Sequence, residues 1–333
     1  MVGLIFTGGT ISMRLDPSSG AAVPAMGGQD ILDLVPAIRS IADVEVEDFS
    51  RLPGPHVTPE EMWRLARRVA AWLERPDVDG LVITHGTDTI EETAFLLDLI
   101  LTSEKPVVLV GAMRTVSDPS WDGPANLVAA VQVAASPLMR GCGVVVVMDE
   151  QILPGREVRK MHTEASGSFA TPEFGPLGVV DAGQVLLRRK PLSRPTWRDP
   201  AAEPGLRVRR LETRVDLLQA YTGMTDRIVR LMSNDGARGL AVVAFGRGNV
   251  PPTIVPALAD AVSRGLIVTI SSRCASGRVK PRYGYPGGAL ELTRVGALLA
   301  GDLSAAKARL LQMAALGYGG DLEQAKALIR QSI

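Results

Sequence analysis

Two glycine–threonine pairs in this sequence have the residue types needed for covalent chemistry. Thr7-Gly8-Gly9-Thr10-Ile11 and Thr84-His85-Gly86-Thr87-Asp88-Thr89 each place a hydroxyl directly after a residue with no side chain. Glycine lets the backbone turn sharply and come close to a ligand, freeing N–H groups to face a developing oxyanion. A threonine hydroxyl is a feeble nucleophile at neutral pH and needs a base or a proton relay. Asp88, beside Thr87, is one candidate member of such a relay. Lys160, in Gly155-Arg156-Glu157-Val158-Arg159-Lys160, is another. In a threonine–lysine–aspartate relay the lysine takes the hydroxyl proton and the carboxylate holds the ammonium in place. Each motif alone has a plainer reading. Gly-Gly-Thr also makes phosphate loops and simple turns, Gly-Thr-Asp also caps helices, and a single lysine is commonly a solvated one. The three together favour the chemical reading.

Other chemistries find less support. Ser304-Ala305-Ala306-Lys307 has the spacing of a serine–lysine nucleophile pair, but it follows Gly301-Asp302-Leu303 at the start of an alanine-rich stretch, where Ser304 reads as a helix cap. No Gly-x-Gly-x-x-Gly opens the first turn, which disfavours a dinucleotide. His56, His85 and His162 are too scattered for a metal site, and Cys142 and Cys274 form neither a Cys-x-x-Cys nor a Cys/His cluster. Neither a metal nor an organic cofactor is expected, and the cysteines read as free thiols in a reducing compartment. His85 reads as a packed strand-end residue and His162 as a surface residue. Arg273, Arg278, Lys280 and Arg282 cluster in one glycine-containing stretch that reads as a solvated loop.

The composition agrees with this picture. The 333 residues are 46% hydrophobic and 22% charged, with positive mean hydropathy, as in a well-packed globular protein. Thirty-six basic residues balance thirty-six acidic ones, so no global field recruits nucleic acid or an anionic membrane. The expected partner is a small molecule. No apolar run approaches the ~18 residues of a membrane span. The chain opens directly into Val2-Gly3-Leu4-Ile5-Phe6 without the pattern of a secretory leader, so the expected location is the cytoplasm.

The elements that must hold these residues follow from alternation of short Val/Ile-rich runs with longer amphipathic stretches, the pattern of βαβ units in a parallel sheet. Strands are expected at Val2–Thr7, Val44–Phe49, Gly80–His85, Val107–Gly111 and Gly143–Met148, with helices at Gln29–Val35, Pro59–Leu73, Ile90–Leu101 and Pro124–Ala134. Runs such as Leu81-Val82-Ile83 are apolar on both faces, as in strands covered by helices on each side. Ligands of such sheets bind beyond the carboxyl ends of the strands. Both glycine–threonine motifs and Gly111-Ala112-Met113-Arg114 fall there. A Pro- and Arg-rich stretch over 188–207 reads as a linker. It separates an N-terminal catalytic α/β domain, 1–187, from a smaller C-terminal α/β domain, 208–333. In the latter, strands are expected at Leu240–Phe245 and Leu266–Ile270, and helices near Thr225–Ser233, Pro251–Ser263, Ser304–Leu316 and Leu322–Ile329.

Thr7-Gly8-Gly9-Thr10-Ile11, His85-Gly86-Thr87-Asp88-Thr89, Gly111-Ala112-Met113-Arg114 with Asp122-Gly123-Pro124-Ala125-Asn126-Leu127, and the segment ending at Lys160 occur in an order and at spacings that resemble the bacterial-type L-asparaginase/glutaminase family. Phe174-Gly175-Pro176-Leu177-Gly178 and Ala244-Phe245-Gly246-Arg247-Gly248-Asn249 extend the resemblance over nearly the whole chain. It implies a flavodoxin-like N-terminal domain, a smaller α/β C-terminal domain, and a homodimer or homotetramer with sites near the subunit interface. By position, Thr10 resembles the primary nucleophile, and Thr87, Asp88 and Lys160 the second catalytic group. Asp88 also resembles the residue that binds the substrate α-amino group, and Ala112 the one whose carbonyl binds the leaving amide. Gly9 and Gly86 complete the substrate loops. The implied reaction converts L-asparagine and water to L-aspartate and ammonia through an acyl-enzyme.

The sequence departs from the family at two places. Ala22, in Asp16-Pro17-Ser18-Ser19-Gly20-Ala21-Ala22-Val23-Pro24, stands where a loop tyrosine commonly meets the nucleophile. Leu52-Pro53-Gly54-Pro55-His56-Val57 lacks the serine that grips the substrate α-carboxylate. His56 is the candidate replacement there, and Tyr283 or Tyr285 from a neighbouring subunit is one for the tyrosine. Two alternatives stay open: an amidase for another small amide (glutamine, D-asparagine or a non-amino-acid amide), and a ligand-binding relative without catalysis.

Overall fold

A computed structural model describes residues 1–192 and 194–333; Ser193, within the stretch read as a linker, lies outside them. The chain divides into two compact units, Met1–Arg194 with Pro204–Leu206, and Pro195–Glu203 with Arg207–Ile333. The 188–207 stretch is thus shared between the units.

In the first unit the elements run β1 (Val2–Gly8), β2 (Met13–Leu15), β3 (Ala22–Pro24), α1 (Gly28–Leu34), β4 (Val44–Leu52), α2 (Pro59–Glu74), β5 (Gly80–Thr84), α3 (Ile90–Ile100), β6 (Val107–Val110), α4 (Gly123–Ala135), β7 (Val144–Met148), β8 (Gln151–Pro154), β9 (Arg159–Lys160), β10 (Phe169–Ala170), β11 (Gly178–Asp181) and β12 (Gln184–Leu187). Eight strands form one sheet in the order β12-β11-β8-β7-β6-β5-β1-β4. Its five strands from β7 to β4 are parallel. Their order is that of a flavodoxin-like sheet, whose direction of winding reverses between β1 and β5.

Local chemistry explains the elements. Helix α2 starts where Thr58 accepts a hydrogen bond from Glu61 N at 3.2 Å, with Pro59 in first place and Glu60 and Glu61 in the first turn. It ends because Arg75 precedes Pro76, whose ring disfavours helical geometry at the residue before it. Strand residues alternate between two covered faces. Val2, Leu4, Phe6, Val82, Val108, Val110, Val145 and Val147 share a buried cluster with residues of α1 and α4. The opposite residues, among them Leu81, Ile83, Leu109 and Val146, are equally buried on the side of α2 and α3. Gly3 has no side chain because a Cβ there would lie 2.5 Å from Leu81 and 2.8 Å from the Trp72 ring.

The sheet is not wholly parallel: β8, β11 and β12 extend it in antiparallel fashion. The β7–β8 hairpin turns on Asp149 and Glu150, both at positive φ (50° and 61°). Two-residue hairpin turns with both φ positive normally use Asn-Gly or Asp-Gly, which is why the Asp-Glu pair does not read as one. The stretch after Thr10 is a second hairpin, in which β2 pairs with β3. Asp16 closes its tip by accepting bonds from the N–H and hydroxyl groups of Ser18 and Ser19, which pull its carboxyl down to about 2. On its outer edge β2 also bonds Val116 N and Ser117 Oγ, so this arm is held from both sides.

The second unit carries β13 (Val215–Gln219), α5 (Arg227–Asn234), β14 (Gly239–Ala244), α6 (Val255–Ser263), β15 (Ile267–Ser272), α7 (Ala289–Arg294), β16 (Leu298–Leu299), α8 (Ala305–Gly317) and α9 (Leu322–Ser332). Its four strands are parallel in sequence order. Gln312 of α8, fully buried, donates to Leu240 O (3.2 Å) and Thr269 Oγ1 (2.6 Å), tying the helix to two strands. Ser304 caps α8 by accepting from Lys307 N, and Lys307 itself is buried. No helix among the described residues is long and apolar enough to cross a membrane.

Candidate functional site

Parallel register brings the two glycine–threonine turns together. Phe6 of β1 lies opposite Thr84 of β5, so the chain leaves both strands at the same level, where the winding of the sheet reverses. Thr7 and Thr84 lock the strand ends: Thr7 Oγ1 donates to Thr84 O (2.6 Å) and Thr7 N to Thr84 Oγ1 (3.3 Å). Beyond them the turns touch backbone to backbone. A Cβ on Gly9 would lie 2.6 Å from Gly86 N, and one on Gly86 would lie 2.6 Å from Gly54 Cα. Gly9 also has φ +87°, open only to glycine at small cost. Three backbone segments therefore converge, and only glycines permit it.

Thr10 opens the helical turn Thr10–Ser12, half-buried, with Ser12 bonded back to Gly9 O through both its N–H (3.0 Å) and its hydroxyl (2.9 Å). Thr87 is buried, its methyl next to Gly111, where a Cβ would lie 3.0 Å away. Lys160 Nζ donates to Thr87 Oγ1 (2.9 Å) and to Asp88 Oδ1 (2.7 Å). Asp88 is 59% exposed and Lys160 16%, so the chain of groups runs from the interior to solvent. The ammonium, hydroxyl and carboxylate come from residues 72 and 73 positions apart.

Neighbouring groups support this chain. Thr89 Oγ1 donates to Gly54 O (2.9 Å), tying the α3 entry to the turn Gly54–His56. His56 is exposed in that turn, and Gly54 packs on Asp88. Ala112 is fully buried just after β6, and the turn that carries it hangs on α4. Asp122 accepts from Met113 N (3.0 Å) and Arg114 N (3.0 Å), while Asn126 donates to Gly111 O (3.1 Å) and accepts from Asp149 N (3.0 Å). The main chain of Lys160 is held by Glu91 Oε2, which accepts its N–H at 2.5 Å.

His85 is fully buried, with Nδ1 on Gly86 O and Nε2 on Thr93 Oγ1, both at 2.9 Å. Burial pushes its pKa down to about 4, so it stays neutral and braces the Gly86–Thr87 turn. His162 lies in the loop after β9 and accepts from Glu164 N and Ala165 N, both at 3.0 Å. Arg273, Arg278, Lys280 and Arg282 lie in an exposed loop of the second unit, as do Tyr283 and Tyr285. Ala22 pairs with Leu15 in the β2–β3 hairpin and is exposed. Among the described residues no three His, Cys, Asp or Glu side chains gather as a metal-holding group.

Sequence reasoning passed over Glu91 and took Asp122 and Asn126 only as parts of a motif. Glu91 sits in a first helical turn where any acid is favoured, so nothing in the sequence marks its long-range bond. Asn126 does carry a signal: an amide on the buried face of a largely apolar helix needs partners.

Fold and site together make this a doubly wound α/β protein with a hydroxyl–ammonium–carboxylate chain at the point where its sheet reverses. Residues 1–193 match the family model for the asparaginase N-terminal domain, and residues 214–329 match the glutaminase/asparaginase C-terminal domain. The chain belongs to the asparaginase/glutaminase family. A protein named "Probable L-asparaginase" from Deinococcus radiodurans is 38% identical over 99% of this chain and 97% of its own. An L-asparaginase from Bacillus licheniformis is 31% identical over 93% of each. The crystal structure titled "Probable Cytoplasmic L-asparaginase" from Campylobacter jejuni superposes with a TM-score of 0.87 at 32% identity, covering 99% of this chain and 98% of that one.

Proposed function

We propose that this chain is an L-asparaginase that hydrolyses the side-chain amide of L-asparagine to L-aspartate and ammonia. The observation that carries the reading is Lys160 Nζ poised between Thr87 Oγ1 (2.9 Å) and Asp88 Oδ1 (2.7 Å), beside the turn that presents Thr10. Thr10 Oγ attacks the amide carbon and forms a tetrahedral centre whose oxyanion faces backbone N–H groups of the glycine turns. The hydroxyl proton of Thr10 passes to the amide nitrogen, the C–N bond breaks, ammonia leaves, and the Thr10 ester remains. Water then attacks that ester carbon, its proton passing through the Thr87 hydroxyl to the Thr10 oxygen as the ester bond breaks, and aspartate departs with Thr10 restored. Asp88 holds the Lys160 ammonium, which donates to Thr87 Oγ1, and its exposed carboxylate receives the substrate α-amino group. Gly9 and Gly86 line the amide, the Ala112 carbonyl receives the leaving nitrogen, and His56 takes the place of the missing serine toward the α-carboxylate.

Ammonia release from L-asparagine, abolished by Thr10→Ala in a protein that still folds, tests the reading. An enzyme silent on asparagine, glutamine and their D-forms overturns the substrate and leaves the amidohydrolase. Binding of asparagine without turnover favours a non-catalytic relative. The exposed alanine at position 22, with no hydroxyl to offer Thr10, is what gives the other-amide alternative its weight. The chain assembles as a homodimer or homotetramer with sites near the subunit interface, as the family resemblance implies; a monomeric mass by light scattering would remove this part.

A further inference from the structure

We propose that Glu91 is a positioning residue that sets the reach of Lys160, acting through the lysine's main chain and not on the substrate. The inference rests on the relay described above. Lys160 needs such a device. Its own strand, β9, has two residues and pairs with β10 alone, Lys160 opposite Phe169. A four-carbon side chain on so short a strand has wide conformational freedom, yet Nζ must sit within hydrogen-bond distance of two groups at once.

The segment before Lys160 lies along α3. A Cβ on Gly155 would be 2.8 Å from Ala94 O, so the chain passes close against that helix. Five residues on, Lys160 N donates to Glu91 Oε2 at 2.5 Å, a contact that spans 69 positions of sequence. Ala94 and Glu91 are three residues apart, about 4.5 Å along the helix axis. The segment therefore runs toward the start of α3, which Thr87 and Asp88 immediately precede. Both ends of the relay are thus referenced to one helix, Thr87 and Asp88 through the chain and Lys160 through its bond to Glu91. A favourable charge at the helix start explains an acid at either position 91 or 92. It does not explain the bond to Lys160 N.

The test is a double-mutant cycle on steady-state ammonia release from L-asparagine. Glu91→Ser removes the acceptor and Glu91→Gln keeps it. In the wild-type background Glu91→Ser should lower kcat about tenfold to a hundredfold, the scale set by misplacing a reacting group by about 1 Å, with KM changed by less than about twofold. Glu91→Gln should recover most of that loss. In a Lys160→Met background, Glu91→Ser should cost no more than about a further twofold, because the group it positions is gone. Equal losses in the two backgrounds, or a Gln variant as impaired as the Ser variant, would overturn the proposal. Glu91→Asp, one methylene short of Lys160 N, replaces the Ser variant should thermal melting show it unfolded. Lys160→Met with undiminished kcat would refute the relay itself, an outcome separate from a failed cycle.

Discussion

Acidification should leave His85 uncharged well after an exposed histidine has taken its proton. Gly86 O can only accept, so Nδ1 carries the hydrogen and Nε2 is left to accept from the Thr93 hydroxyl. A second proton on Nε2 would force the Thr93 hydroxyl, fully buried, to give up its role as donor in this bond and accept instead. Burial therefore lowers the pKa from 6.5 to about 4, partly opposed by the bond to Gly86 O. As pH falls below 6.5 the unfolded chain binds this proton and the native protein does not, so stability declines until pH passes through about 4, where both forms carry it. The difference between those two values, at 1.36 kcal/mol per pH unit, makes the loss on the order of 3 kcal/mol across that window. Nitrogen-15 spectra of the three imidazoles, with His85→Gln for assignment, should show one ring that keeps the neutral Nδ1–H tautomer at pH 5. Urea unfolding of His85→Gln should lose up to one proton of the wild-type pH dependence between pH 6.5 and 4. A ring that titrates near 6.5, or one protonated at Nε2, would refute the bracing role assigned to it.

Two further outcomes follow from the packing. Gly9→Ala puts a methyl 2.6 Å from Gly86 N at a φ of +87°. Ammonia release should fall by about a hundredfold with folding cost of about 1–3 kcal/mol, and wild-type turnover would contradict the contact between the two turns. Asn126→Leu leaves Gly111 O and Asp149 N without partners. Urea titration should show about 2–4 kcal/mol less stability, and a loss below about 1 kcal/mol would mean that this amide does not hold the β6 turn.

The parts of the fold legible in the sequence were those set by local periodicity. The expected strand Val44–Phe49 runs on to Leu52, and Gly80–His85 ends one residue sooner, at Thr84. The helix opening at Pro59 is observed where Thr58 and the first-turn acids place it. The parallel core follows from runs such as Leu81-Val82-Ile83 that have no polar face to give to water. The antiparallel extension was not legible. β9 and β10 have two residues each, too few for any period, and Val179 of β11 is exposed, which blurs the apolar signal. β13 was likewise missed, its apolar residues broken by Asp216 in Val215–Gln219 and preceded by an arginine-rich stretch.

By itself, the sequence determined which groups could react and that two of them follow parallel strands, because hydroxyl type, glycine placement and strand period are all local properties. It left open whether Thr87, Asp88 and Lys160 meet, since that depends on how far a hairpin more than seventy residues downstream swings back across α3. Tertiary structure decided this through the close passage of Gly155 along α3 and the bond from Lys160 N to Glu91. Each of these contacts uses backbone atoms of the downstream segment, and nothing in residue type marks which distant partner they meet.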